Sequence, residues 1–255
     1  MANGMTARGV RRTRFRRRRG TALALAAALQ FAVASPVLAV CNEEAMLVFD
    51  ASGSMSATNE QGRRIDVARR AAADVLPEIT SSRPTGLVTY GGTYAAGCTG
   101  VELRMPPMAD SASLIMSELL ALTPSGQTPL SQATLLAAQT LDDGRRPGTV
   151  VVLTDGYENC GFNACALGSK LRREAPNIRV HVIGFYLHSV GERSIACLAQ
   201  QTGGTYTSTR SYAELKSALQ KTLTCQRIAG RLPSKATTGT QLALLQPLDT
   251  KSGRN

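Results

Sequence analysis

The chain of 255 residues contains no tryptophan and just two histidines, and aromatic residues make up 4% of it. The shortage of histidine weighs against enzyme classes that need an imidazole base, such as serine hydrolases. His181 occupies one position in the alternating pattern of a predicted strand, and His188 lies in the loop that follows. We therefore expect both to be structural or surface residues. Neither a G-x-S-x-G sequence nor a glycine-rich phosphate loop occurs. We therefore expect that the protein is not an enzyme.

Acidic residues are absent from residues 1–39, which contain eight arginines. The rest of the chain has 21 basic and 18 acidic residues, so the formal charge of +11 belongs mainly to this segment and does not predict nucleic-acid binding. The arginines precede an apolar stretch that ends in small residues, with Val37 and Ala39 at suitable cleavage positions. The pattern predicts a signal peptide, residues 1–39, cleaved after Ala39. A retained membrane anchor is the alternative, because the stretch approaches spanning length.

Beyond residue 39, short apolar runs alternate with segments of helical periodicity. Strands are predicted at residues 45–50, 86–92, 100–105, 148–156, 178–186 and 204–209. Helices are predicted at residues 64–76, 111–122, 129–141, 164–175, 192–203 and 211–223. This alternation predicts the α/β class, as a doubly wound, mostly parallel sheet with helices on both faces, in one domain of residues 40–225. The polar, turn-rich residues 226–255 are expected to form a loosely ordered tail.

Six cysteines follow the predicted cleavage site, an even number that is typical of disulfide bonds in an oxidising compartment. They are Cys41, Cys98, Cys160, Cys165, Cys197 and Cys225. A zinc site is the weaker alternative, because the spacing of the cysteines and histidines does not suit it. We expect a periplasmic or secreted protein with no membrane span after cleavage.

The positions of the cysteines suggest how they pair. Cys41 precedes the first strand and Cys225 ends the last helix, so we expect these two to be joined. The simplest local pair is Cys160 with Cys165, which leaves Cys98 and Cys197. Cross-pairing among these four cysteines is the alternative.

Oxygen-bearing side chains follow two of the predicted strands. Asp50, Ser52 and Ser54 alternate in "DASGS", and Asp155 follows the strand before "TDG". If the two strands are neighbours, the carboxyl ends bring these residues to one crevice, where sheets of this class bind ligands. With Thr128 they form an all-oxygen set that suits Mg²⁺, with Mn²⁺ and Ca²⁺ as alternatives. Three of these ligands are neutral hydroxyls and at most two carboxylates face the ion, so we expect the site to favour another anionic oxygen. An exposed Asp or Glu of a partner protein can supply it.

The strings "DASGSM", "SGQTPL" and "LTDG" resemble the metal-ion-dependent adhesion site of the von Willebrand factor type A (VWA) domain family. The resemblance spans roughly residues 44–224 and implies a doubly wound sheet with one antiparallel edge strand. It also implies that Ser52, Ser54 and Thr128 contact the metal directly. Asp50 and Asp155 would act through water molecules or as close ligands.

The strings "RIDVARRAA", "TDGYENCGFNAC" and "ACLAQQTGGTY" resemble exported bacterial members of this family. The function that the resemblance implies is Mg²⁺-dependent binding of a protein, and the alternative is an accessory subunit that assembles an exported enzyme or envelope complex. Tyr157, Glu158 and Asn159 follow the metal loop, either as a partner-binding rim or as exposed polar residues. Related chains often carry an acidic residue at the position of Tyr157. The oligomeric state is not indicated.

Overall fold

The computed structural model of the chain describes residues 41, 43–93, 95–187 and 189–225. The predicted signal peptide, the predicted tail and His188 lie outside the described residues. In the part of the chain that is described, no helix has the length and apolar character needed to cross a membrane.

The elements alternate between strand and helix along the chain. The strands are β1 Glu44–Ala51, β2 Thr58–Asn59, β3 Gly62–Arg63, β4 Thr85–Gly91, β5 Glu102–Met108, β6 Gly148–Thr154, β7 Ile178–Phe185 and β8 Tyr206–Thr209. The helices are α1 Arg64–Ser82, α2 Ala112–Ala121, α3 Leu130–Leu141, α4 Ala164–Glu174, α5 Ser189–Gln201 and α6 Tyr212–Leu223, with a 3₁₀ helix at Gly53–Ser56. The predicted strands and helices are confirmed, whereas the short β2–β3 hairpin was not predicted.

The main sheet has six strands in the order β5-β4-β1-β6-β7-β8. All neighbours pair in parallel except β4 and β5, so β5 is an antiparallel edge strand. The edge strand carries Pro106 and Pro107, which cannot donate backbone hydrogen bonds to a further strand. The predicted fold class, with its antiparallel edge, is confirmed.

Both faces of the sheet are covered by helices. On β1, Leu47 and Phe49 point to the face that α1, α2 and α6 cover, while Met46 and Val48 point to the face under α3, α4 and α5. Seven of the eight residues of β1 are buried for this reason, which explains its nearly continuous apolar sequence. The chain runs outward from β1 in both directions, so the point where its direction reverses lies between β1 and β6.

The end of the domain at which β1 begins is tied together by a buried arginine. Arg83 is 2% exposed, and its guanidinium donates to the carbonyl oxygens of Glu43 at 3.0 Å and Leu223 at 2.9 Å. It also pairs with the Glu43 carboxylate at 3.2 Å, although burial lowers the pKa of the guanidinium. This side chain therefore joins the start of β1, the end of α1 and the end of α6.

Three disulfides link the six cysteines. Cys41 is joined to Cys225, with Cα atoms 6.1 Å apart, at the same end of the domain as Arg83 and in agreement with the expectation from the sequence. The local Cys160–Cys165 pair is contradicted. Cys160 is joined to Cys98, because the loop after β6 lies against the loop between β4 and β5, and Cys165 on α4 is joined to Cys197 on α5. The alternative of cross-pairing is the arrangement that the structure has.

Candidate metal site

Asp50 lies near the carboxyl end of β1 and is fully buried. Its Oδ1 accepts a hydrogen bond from the backbone N–H of Ser52 at 2.7 Å, and its Oδ2 accepts one from the hydroxyl of Thr154 at 2.8 Å. The backbone N–H of Asp155 lies 3.3 Å from the same Oδ2. Burial, reinforced by the charge of Asp155, raises the pKa of Asp50 to about 6. A cation in the crevice would favour the charged form of this carboxyl group.

The two serines of the motif are placed by the 3₁₀ helix that follows β1. Met55 in this helix is fully buried and anchors the turn in the core. The hydroxyl oxygens of Ser52 and Ser54 lie 3.1 Å apart, and the Ser54 hydroxyl donates to Oδ1 of Asp155 at 2.5 Å. The alternate spacing of the motif thus brings both hydroxyls to the crevice that holds the carboxylates.

Thr128 comes from the loop between α2 and α3, which is attached to the motif through the backbone. The N–H of Gly53 donates to the carbonyl of Gly126 at 3.1 Å. A methyl group added to Gly156 would lie 3.2 Å from Oγ1 of Thr128 and 3.7 Å from Oγ of Ser54. Both hydroxyl oxygens therefore border one small space, which stays open because residue 156 is glycine.

Asp155 follows β6, the strand beside β1. Its side chain is fully buried, and Oδ2 forms an ion pair with Nη1 of Arg64 at 2.8 Å. Burial raises the pKa of Asp155, although the hydrogen bonds from Arg64 and Ser54 act in the opposite direction. Four of the five predicted ligands thus lie at the carboxyl ends of the neighbouring strands β1 and β6, and the loop before α3 brings Thr128 to them. Arg64, which was not predicted from the sequence, lies at the same crevice.

These five residues all fall within residues 45–158, which match the family model described as the von Willebrand factor type A domain. Residues 45–158 belong to the VWA family. The strand order and the helices on both faces agree with this assignment.

Among curated proteins, the chain is similar to the uncharacterised protein YwmD of Bacillus subtilis. The two are 28% identical over 205 residues, which cover 76% of this chain and 92% of YwmD. The chain is also similar to the YwmC protein of the same organism, with 27% identity over 169 residues, covering 63% of this chain and 74% of YwmC.

Among solved structures, the VWA domain is similar to a D319A mutant of the PilB minor pilin of Streptococcus sanguinis. The TM-score is 0.57 at 15% identity, covering 74% of this chain and 62% of the pilin. It is also similar to proximal thread matrix protein 1 of the mussel byssus, in a structure with zinc in its metal-ion-dependent adhesion site (MIDAS) motif. The TM-score is 0.52 at 19% identity, covering 72% of this chain and 47% of that one. The chain thus spans less than two thirds of either protein, and at these identities the likeness shows the fold alone.

The rim residues of the VWA domain divide into two kinds. Tyr157 is 56% exposed beside the crevice, and a second aromatic residue, Phe162, is 52% exposed nearby in sequence. Glu158 instead accepts a hydrogen bond from the backbone N–H of Ser131 at 2.7 Å, and Asn159 accepts one from the backbone N–H of Thr128 at 2.8 Å. Glu158 and Asn159 therefore hold the Thr128 loop against the loop after β6.

The donor set of the VWA domain fits a small, hard cation. Two carboxylates and three hydroxyls converge, and oxygen atoms of these kinds are what Mg²⁺ and Ca²⁺ take in proteins. Across the described residues, no group of three or more His, Cys, Asp or Glu side chains is placed to hold a metal, so any ion at this crevice would depend on the hydroxyls. The alternative zinc site of cysteines is contradicted, because all six cysteines are in disulfides.

Three residues at the crevice were not selected from the sequence. Thr154 and Gly156 are the neighbours of Asp155 in the "LTDG" string, so their place beside a predicted ligand could have indicated them. Arg64 is separated from Asp155 by 91 residues and precedes the first apolar position of α1. Nothing in its local sequence distinguishes it from Arg63.

Proposed function

We propose that the VWA domain binds a partner protein through a divalent cation, Mg²⁺ in preference to Mn²⁺ or Ca²⁺. Ser52, Ser54 and Thr128 would hold the ion through their hydroxyls, and Asp50 and Asp155 would contribute its charge compensation. When bound, the ion supplies an electrophilic coordination position for an anionic oxygen. A carboxylate from an exposed Asp or Glu of the partner is the group that fits this position.

The convergence of two buried carboxylates with three hydroxyls at one crevice carries the proposal. Buried carboxylates are expensive unless a cation or hydrogen bonds compensate them, and the single ion pair here reaches Asp155 alone. Asp50 keeps a raised pKa despite its two close hydrogen bonds. A divalent cation would supply the missing compensation.

The proposal assigns no catalytic role to the site. His181, on β7, receives a hydrogen bond at Nδ1 from the backbone N–H of Thr205 at 3.1 Å, and burial lowers the pKa of its ring. Three disulfides support export to the periplasm or the exterior, where such bonds persist.

Calorimetric titration of the oxidised full chain with Mg²⁺ and Mn²⁺ tests the metal site. The Asp50→Ala/Ser52→Ala double variant should lose binding while its melting temperature stays measurable. The matched control is Ser56→Ala, since the Ser56 hydroxyl lies in the same turn but donates to the carbonyl of Gly53. Equal metal binding by the double variant and the parent would refute the site.

The carboxylate part of the proposal has its own test. Acetate serves as the probe, with chloride at the same ionic strength as the reference. Acetate should tighten Mn²⁺ binding to the parent chain, because it completes the coordination of the ion. If acetate and chloride give the same affinity, the partner does not bind through a carboxylate on the ion.

A further inference from the structure

Arg64 places a cation of the protein itself on one of the proposed metal-site carboxylates. Its Nη1 lies 2.8 Å from Oδ2 of Asp155, whose side chain is fully buried, while the Arg64 side chain is 19% exposed. A divalent cation at the crevice would be attracted by the same carboxylate. Arg64 and the ion therefore interact with the same negative charge and repel each other.

The position of the guanidinium is determined by more than the ion pair. It lies over the ring of Tyr186, 5.6 Å from the ring centroid. Tyr186 has a φ of 56°, in the left-handed region that non-glycine residues rarely adopt, and such conformations cluster at functional sites. The Nε of Arg64 is buried and has no hydrogen-bond partner. The neighbouring Arg63 does not pair with a carboxylate of the crevice; it pairs with the half-exposed Asp66 on the surface.

The charges at the crevice show what this arrangement does. With both carboxyl groups ionised, Asp50, Asp155 and Arg64 together carry one negative charge, so a bound divalent ion leaves one positive charge. Without Arg64 the same ion would be neutralised by the two carboxylates. A buried or half-buried excess charge is costly, and an anionic ligand removes the excess.

We propose that Arg64 couples metal binding to carboxylate binding at this site. This inference rests on the proposed function. Arg64 weakens binding of the metal to the free domain, and it strengthens binding of an anionic partner to the metal-loaded domain more than to the metal-free domain, where Asp155 already neutralises its charge. Because coupling between two ligands is reciprocal, the carboxylate must then raise metal affinity more when Arg64 is present than when it is absent. Arg64 acts as a specificity-determining residue that favours metal and partner together over metal alone.

The test compares Mn²⁺ titrations of the oxidised full chain with those of Arg64→Gln near neutral pH, in chloride and in acetate of equal ionic strength. In chloride, Arg64→Gln should bind Mn²⁺ roughly tenfold more tightly than the parent, within the usual range of coupling between sites. Acetate should tighten Mn²⁺ binding more in the parent than in this variant. Arg63→Gln removes the same charge one residue away and should match the parent in both solutions.

Two further variants separate charge from packing. Arg64→Lys keeps the charge and should bind Mn²⁺ about as weakly as the parent. Arg64→Met removes the charge but keeps an apolar stem over Tyr186, so it should bind Mn²⁺ like Arg64→Gln. If Arg64→Gln does not fold, Arg64→Met takes its place in the test.

The outcomes distinguish the inference from the function on which it rests. If the parent binds Mn²⁺ and both charge-removing variants bind it equally or less tightly, the role of Arg64 is refuted and the metal site stands. An equal gain in Arg63→Gln would refute it as well, since the effect would then be general electrostatics. If no chain binds Mn²⁺ in either solution, the proposed function is refuted and the inference is refuted with it.

Discussion

Replacing Gly156 by alanine should change the metal preference of the VWA domain without unfolding it. The added methyl group would lie 3.2 Å from Oγ1 of Thr128, which is closer than ordinary van der Waals contact, so the hydroxyl has to retreat by a few tenths of an ångström. Gly156 is not among the residues with positive φ, so alanine adds no backbone strain. Such substitutions change the free energy of unfolding by about 1 kcal/mol or less.

The effect on metal affinity depends on how far each ion tolerates changes in ligand distance and geometry. Mg²⁺ requires oxygen atoms at about 2.0–2.1 Å in nearly ideal octahedral geometry, whereas Ca²⁺ accepts about 2.3–2.6 Å in a flexible arrangement. A retreat of a few tenths of an ångström exceeds the roughly 0.2 Å by which metal–ligand distances vary. We expect Mg²⁺ affinity to fall about tenfold, which corresponds to about 1.4 kcal/mol, and Ca²⁺ affinity to fall less.

Calorimetry with both ions on the parent and on Gly156→Ala measures this difference, and the melting temperature of the metal-free proteins controls for folding. An unchanged Mg²⁺ affinity in a folded variant would show that the space between Thr128 and Ser54 is not where the ion binds. Equal losses for Mg²⁺ and Ca²⁺ would refute the geometric explanation.

Two other substitutions test the supports of the fold and of the site. Arg83→Met should lower the free energy of unfolding by about 3–5 kcal/mol, because it leaves two carbonyl groups without their donor and the Glu43 carboxylate without its cation. The exposed Arg179→Met should cost less than about 0.5 kcal/mol. Urea denaturation of the oxidised proteins measures both, and similar midpoints would contradict the role given to Arg83. Asn159→Ala should weaken Mg²⁺ binding by about tenfold as well as cost about 1 kcal/mol of stability, because its side chain positions the Thr128 loop. Asn163→Ala, which removes a helix N-cap, should cost a similar amount of stability and leave Mg²⁺ affinity unchanged.

Most of the fold could be predicted from the sequence because its signals are local. The runs that form β1 and β6 are continuously apolar, as strands buried on both faces must be. The β2–β3 hairpin escaped prediction, because each of its strands has two residues and neither shows a hydrophobic pattern. The antiparallel direction of β5 followed from the resemblance to a family and not from periodicity.

The candidate site was predictable where its residues belong to a motif. Asp50, Ser52 and Ser54 sit at alternate positions in one turn, so their convergence is a matter of local geometry. Arg64 and the pairing of Cys98 with Cys160 depend on which loops meet in three dimensions, and local sequence does not carry that information. Glu158 was likewise expected to be rim or surface, but the packing of the loop after β6 on α3 makes it a support.

The disulfide between Cys41 and Cys225 closes the chain between them into a covalent ring, at the end of the domain where β1 begins. This end of the domain lies opposite the crevice of Asp50 and Asp155, along the direction of β1. Tension between a ligand in the crevice and the chain at Cys41 or Cys225 would therefore enter through a covalent bond at the same end of the domain as Arg83. The load would be shared between β1 and α6, so a pull on one end would not peel a single strand or helix from the domain.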